Sequence, residues 1–243
     1  MKGIILAGGT GSRLFPLTKA MNKHLLPVGK YPMIYHAIHK LKNAGIRDLL
    51  IVSGVEHMGS IVSLLGSGHD MGISLTYKVQ DRPGGIAHAL KLAEEFVNGQ
   101  LTAVILGDNI FADDLSSYIE KFMRQGKGAK ILLKKVEDPH RYGIASIHEG
   151  KIVALEEKPN EPKSPFAVTG IYLYDHQVFQ IIDQLIPSKR GELEITDVNR
   201  AYMLKDELTY DFLQGWWVDA GTHNSLHQAT QLAKGIELGG NEE

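Results

Sequence analysis

The first chemistry this sequence offers is anion binding. Residues 4–13 read I-I-L-A-G-G-T-G-S-R. Gly8, Gly9 and Gly11 carry no Cβ, so backbone N–H groups there can close on an anion without steric conflict. Arg13 adds a planar, permanently charged fork that matches phosphate oxygens. The apolar run Ile4, Ile5, Leu6 suits a strand buried on both faces. The expectation is a nucleotide phosphate held at the end of the first strand. The plainer alternative is a tight strand-to-loop connection without a ligand.

Two familiar glycine loops fail on spacing. A dinucleotide fingerprint, G-x-G-x-x-G, started at Gly9 and Gly11 would need its third glycine at Leu14. The next apolar strand, Leu49 to Val52, ends in Ser53-Gly54 rather than in an acidic residue for a ribose. A P-loop needs a lysine that does not follow Gly11 in register. A dinucleotide-dependent oxidoreductase is therefore opposed.

The carboxylates come next. Asp108 ends the buried-strand pattern T-A-V-I-L-G-D-N, where a carboxylate is well placed for a hard cation such as Mg2+. Asp219, in W-V-D-A-G-T, ends another apolar approach. The plainer reading makes these two turn residues, the second ahead of a helix capped by Thr222. Asp113 and Asp114 stand before a helix and read as cap residues. Along Ile152 to Glu157, strand alternation puts Val153, Leu155 and Glu157 on one face. A carboxylate ending an apolar row needs partners, and sugar hydroxyls would serve; Lys158 could hold a sugar phosphate. A frayed strand end in water is the commoner fate of such a run. Gln80, Pro83, Gly84 and Gly85 lead into a helix, and an amide that donates and accepts suits a pyrimidine edge. The histidines show no metal-ligand spacing, and His88 and His227 read as surface or packing residues.

Composition narrows the class. Lys+Arg 26 against Asp+Glu 28 gives a net charge of -2, with no basic surplus for nucleic acid. Cysteine is absent, which excludes disulfides and thiol chemistry. No apolar stretch reaches membrane-spanning length and the N-terminus enters a strand at once, so a cytoplasmic enzyme is expected.

The elements that must position these residues follow from periodicity. Strand at Asp48–Val52, helix at Ser60–Leu65, strand at Ser74–Val79, a helix from Ile86 to about Val97 and a strand ending at Asp108 alternate. That order predicts an α/β fold: a mostly parallel, Rossmann-like central sheet flanked by helices, with ligands at the carboxyl ends of its strands. After Pro139 the pattern predicts a hairpin turning at Glu149-Gly150, a strand at Phe166–Tyr174, a helix at Ile195–Leu204, a strand at Leu208–Leu213, a turn at W-W-V-D-A-G-T and a closing helix. This mixed antiparallel portion supplies the other wall of a cleft. One domain over 1–243 is expected, its nucleotide-binding part at about 1–135 and its sugar-phosphate-binding part at about 136–243.

Taken in order, L-A-G-G-T-G-S-R-L, K-H-L-L-P-V, Q-D-R-P-G-G-I-A, G-D-N, E-E-K-P, A-V-T-G-I-Y, G-E-L-E-I-T-D and W-x-D-A-G-T resemble the sugar nucleotidyltransferases, specifically the short glucose-1-phosphate thymidylyltransferases. The resemblance spans nearly the whole chain. It implies that dTTP and glucose 1-phosphate give dTDP-glucose and pyrophosphate, with Mg2+. It implies catalytic roles for Arg13, Lys23 and Asp108, and Mg2+ ligation by Asp108 and Asp219. Gly8, Gly9, Gly11, Arg13, Gln80, Gly85 and Asp108 would hold the nucleotide. Lys23, Gly143, Glu157, Lys158 and Val168 would surround the sugar phosphate. It implies a homotetramer. Longer members carry C-terminal helices not found before Glu243, which leaves a second, regulatory nucleotide site open. Use of UTP, or nucleotide-sugar binding without catalysis, are the competing readings.

Overall fold

The structure, a computed structural model, describes residues 1–238. Apolar runs and amphipathic repeats alternate through its first half. β1 (Lys2–Leu6) leads to a short antiparallel pair, β2 (Pro27–Val28) and β3 (Tyr31–Pro32). Then come α1 (Met33–Asn43), β4 (Asp48–Gly54), α2 (Val55–Leu65), β5 (Ser74–Gln80), α3 (Ile86–Lys91), α4 (Glu94–Val97) and β6 (Thr102–Leu106). The second half holds β7 (Asn109–Phe111), α5 (Ser116–Gln125), β8 (Ala129–Lys135), β9 (Gly143–His148), β10 (Lys151–Glu157) and β11 (Phe166–Tyr174). It closes with α6 (Gln177–Asp183), α7 (Ile195–Leu204), β12 (Leu208–Phe212), β13 (Trp217–Asp219) and α8 (His223–Leu232).

Nine strands form one sheet in the order β10-β9-β11-β6-β1-β4-β5, with β8 and β12 continuing from β11. β1 pairs in parallel with β4 and β6, and β4 with β5. β11 runs antiparallel to β6, β8 and β9. This is the α/β architecture expected, parallel at its centre and mixed beyond β6. Alternation along β1 feeds both faces. Ile4 and Leu6 pack with Leu90, Val198 and Tyr202 on one side. Ile5 packs with Ile34, Ile38 and Phe122 on the other. Among the described residues no helix is long and apolar enough to cross a membrane.

Several local expectations change. The helix expected over Ile86–Val97 breaks into α3 and α4, where Ala93 N–H donates to Leu90 O in a three-residue turn. α2 begins at Val55, before the apolar repeat that announced it. W-W-V-D is no free turn: it contains β13, which pairs with β7 so that Asp219 stands opposite Asn109. A bulge between Ile152 and Ala154 breaks the alternation of β10. Ile152 and Leu155 are therefore buried while Val153 is 54% exposed, so Val153 does not share the face of Leu155. The hairpin turn falls where expected, with Glu149 and Gly150 both left-handed. Thr222 caps α8 by a reciprocal bond pair with Ser225, and Asp114 accepts from Ser116 N–H at 2.7 Å. Asp113 reaches further, accepting from Gln214 and Gly215 N–H.

One buried carboxylate ties the second half together. Asp175, 2% exposed, accepts from Gly128 N–H at 2.7 Å, Tyr202 O–H at 2.7 Å and Gln177 N–H at 3.0 Å. These donors belong to the approach to β8, to α7 and to α6. Asp175→Ala would strand the buried Gly128 N–H and Tyr202 O–H out of reach of water, so it should cost about 3 kcal/mol. A lower midpoint in urea unfolding checks this, and an unchanged midpoint would refute it.

Candidate active site

Parallel register brings four chain exits to one edge of the sheet. Leu6 lies level with Val52 and Leu106, and Gly54 with Gln80. The loops leaving β1, β5 and β6 therefore surround a cavity of about 350 Å3. Gly8, Gly9, Arg13, Lys23, Gln80, Gly85, Asp108 and Asp219 all line it, and Lys158 stands at its border. Gly11 does not. It takes a left-handed turn at φ 62°, and its carbonyl accepts from Thr18 O–H, which shapes the loop from behind.

Asp108 is the buried charge at the centre. Its Oδ2 meets Lys23 Nζ at 2.5 Å and its Oδ1 accepts from Asn109 Nδ2 at 3.0 Å. Burial pushes its carboxyl upward, but the Lys23 cation and these hydrogen bonds outweigh burial and hold it well below the usual carboxylate range. Lys23 begins a short turn anchored by Asn22, whose Oδ1 accepts from His24 N–H at 2.8 Å. Asn22 Oδ1 also lies 2.7 Å from His24 Nδ1. His24 is buried, and chiefly for that reason its pKa falls to about 3, so it stays neutral beside Lys23.

Asp219 has the opposite balance. Burial, then the charge of Asp108, pushes it up against the pull of Lys23 and Arg13. A Cβ built on Gly221 would stand 2.8 Å from both Asp219 Oδ1 and Arg13 Nη2, so only glycine leaves room there for the carboxylate and the guanidinium on either side. The two aspartates thus face one cavity, and the charge of Asp108 adds to the cost of ionising Asp219. Two carboxylates without a closed cage suit Mg2+, which takes few protein ligands and completes its shell with water and phosphate. Among the described residues, no group of three or more His, Asp or Glu forms a fuller site.

A second cavity, of about 160 Å3, opens beside the first and shares Ile86, Leu106, Lys158, Glu192 and Asp219 with it. Gly143, Glu157 and Val168 line it, as does Lys158; Lys23 does not. Glu157 is not frayed into water. Its Oε2 accepts from Thr196 O–H at 2.6 Å, and Lys158 Nζ and Arg190 Nη2 lie 3.5 and 3.7 Å from its Oε1.

The nucleotidyl transferase family model matches residues 2–234. The chain belongs to the nucleotidyl transferase family. It is 44% identical over 241 residues to glucose-1-phosphate thymidylyltransferase of Neisseria meningitidis, covering 98% of this chain and 84% of that one. It is 43% identical to the enzyme of that name from Xanthomonas campestris, covering 98% and 82%. A Bacillus anthracis crystal structure provisionally described as a glucose-1-phosphate thymidylyltransferase, in complex with sucrose, is 61% identical. It superposes with a TM-score of 0.95 over 98% of this chain and 97% of that one. UDP-glucose pyrophosphorylase complexed with UDP-glucose, 24% identical over 95% and 97% of the two chains, shares the fold at a TM-score of 0.85.

Within this nucleotidyl transferase, sequence reasoning passed over Asn109, His24, Arg190, Thr196 and Trp217. Asn109 is the most consequential. Its Oδ1 accepts from Gly170 N–H at 2.9 Å and Trp217 Nε1 at 2.7 Å while its amide holds Asp108. The only sequence signal was its place after Asp108 in G-D-N. A Cβ on Gly170 would stand 2.6 Å from Asn109 Nδ2 and 2.7 Å from Leu106 Cγ. Gly170→Ala should displace Asn109 and, through it, Asp108, lowering kcat by about 100-fold; wild-type turnover in a folded variant would refute the link. The raised Asp219 predicts a second result. A carboxyl held above its unfolded value loses folding stability as pH climbs from the ordinary carboxylate range through that raised value. In chelator, Asp219→Asn should therefore melt no higher than wild type at low pH and a few degrees higher near neutrality. Melting curves against pH check this, and a flat difference would refute it.

Proposed function

We propose that this chain condenses dTTP with α-D-glucose 1-phosphate, giving dTDP-glucose and pyrophosphate. One observation carries the reading. Arg13, Lys23, Asp108 and Asp219 converge on a cavity that opens directly into a second one around Glu157 and Lys158. Glucose-1-phosphate thymidylyltransferases match it over nearly its full length.

The residues suit in-line displacement at phosphorus. A sugar-phosphate oxygen forms the new bond to the α-phosphorus as the bond from that phosphorus to the α–β bridging oxygen breaks. Pyrophosphate leaves with the electron pair. The attacking oxygen is already anionic near neutrality, since such a phosphate has a second pKa of roughly 6. No protein base has to remove a proton, which fits the neutral, buried His24. Lys23 and Arg13 offset the charge gathering on the phosphates, and Glu157 receives sugar hydroxyls. Asp219, raised beside the ionised Asp108, is the carboxylate short of positive charge, which fits Mg2+ held by both. When bound, Mg2+ would supply charge neutralisation and alignment at the phosphates.

We further read the chain as one catalytic unit and as a cytoplasmic homotetramer. Nucleotide contacts would come mainly from about 1–135, and sugar-phosphate contacts mainly from about 136–243. Asp108→Asn tests the chemistry. It should cut pyrophosphate release by about 1000-fold while the circular dichroism spectrum stays that of the wild type. Full activity in that variant would overturn the proposal, and parallel turnover of dTTP and UTP would reveal the preferred pyrimidine.

A further inference from the structure

Gln80 ends β5 and is 7% exposed, with its side chain at the wall of the first cavity. A carboxamide can sit in two orientations, offering a base either an oxygen or a nitrogen. Here the choice is closed. Gln80 Nε2 lies 3.4 Å from Gly85 O, and a carbonyl only accepts. Gln80 Nε2 also lies 2.8 Å from His88 Nδ1. Both amide hydrogens are thus spoken for, with His88 Nδ1 accepting one of them. Gln80 Oε1 meets no donor among the described residues. It lies 3.1 Å from the place a Cβ on Gly8 would take, beside the loop that follows β1.

We propose that His88 is a positioning residue that locks the Gln80 oxygen toward the nucleotide base, so that the site takes a pyrimidine carrying N3–H and turns away one whose N3 is a bare acceptor. This rests on the nucleotide reading given above. Thymine and uracil donate from N3 to such an oxygen. Cytosine presents a lone pair there, and the locked amide cannot rotate to donate without abandoning His88 and Gly85 O. The lock is thus an element built against the wrong base as much as for the right one.

The local sequence makes room for it. His88 is the third residue of α3, so its side chain leans back over the first turn toward Gln80. A Cβ on Gly84 would stand 2.7 Å from His88 Cγ and Nδ1, so glycine there lets the ring reach the amide. His88 is half-buried, with an inward role that its place in a helical pattern did not announce.

The test measures dTTP and dCTP side by side on the full chain with Mg2+, by calorimetric binding and by turnover with glucose 1-phosphate. In wild type dTTP should bind far more tightly. His88→Leu should shrink the dTTP to dCTP ratio by about tenfold or more, through the KM for dTTP, with kcat changed by less than about threefold. His88→Gln, whose oxygen can accept from the same amide, should restore the ratio. Gly84→Ala should copy the leucine variant and stands in for it if that chain does not fold. An unchanged binding ratio in a folded His88→Leu, or failure of His88→Gln to restore it, would overturn the proposal. Absence of turnover by wild type would overturn the reaction assigned above, and the binding ratio would still decide the role of His88.

Discussion

Everything at this site depends on keeping a charged carboxylate buried at the end of a parallel strand. An isolated carboxylate there would take up a proton or pull the structure open toward water. Lys23, brought from 85 residues away in the chain, removes that option for Asp108. The cost of holding Lys23 is met locally. Asn22 caps its turn, and the buried His24 stays neutral so that no second cation crowds it. Asn109 then fixes the other oxygen of Asp108 and is itself held by Gly170 and Trp217. A single ion pair therefore reaches through hydrogen bonds into β11 and β13.

The same arrangement leaves one charge unbalanced. Asp219 enters the cavity because β13 pairs with β7, which places it across from Asn109. Burial there, and then the charge of Asp108, make it resist ionising. Such a site is poorly settled on its own and is ready for a cation or a cation-bearing ligand, which is how stability is commonly traded for binding. The second cavity is built from both halves of the chain, Leu106 and Asn109 from one and Glu157, Val168 and Thr196 from the other. Shared walls at Lys158 and Asp219 put any ligand in one cavity beside any ligand in the other.

Much of the fold was legible because its signals are local. Leu115, Tyr118, Ile119 and Phe122 at helical spacing announce α5, and an unbroken apolar run announces β6. Where the helix Ile86–Val97 split and where Val153 turned outward, packing overrode propensity and period, as it does when neighbours decide a residue's surroundings. The glycine loop, the cations and the aspartates were readable as types suited to phosphate. That Gly11 stands behind the loop, and that Lys23 belongs to one cavity rather than both, was not.

The sequence by itself determined which chemistries were open. It held no thiol and no dinucleotide fingerprint, but it had an arginine after a glycine loop and aspartates at strand ends, in an order that resembles a known family. Tertiary structure alone decided which of those residues meet. Lys23 with Asp108, Asp219 with Asn109 and Thr196 with Glu157 are contacts between distant segments. Periodicity reports only which face a residue takes on its own element, whereas these meetings depend on how strands and helices from both halves register against one another.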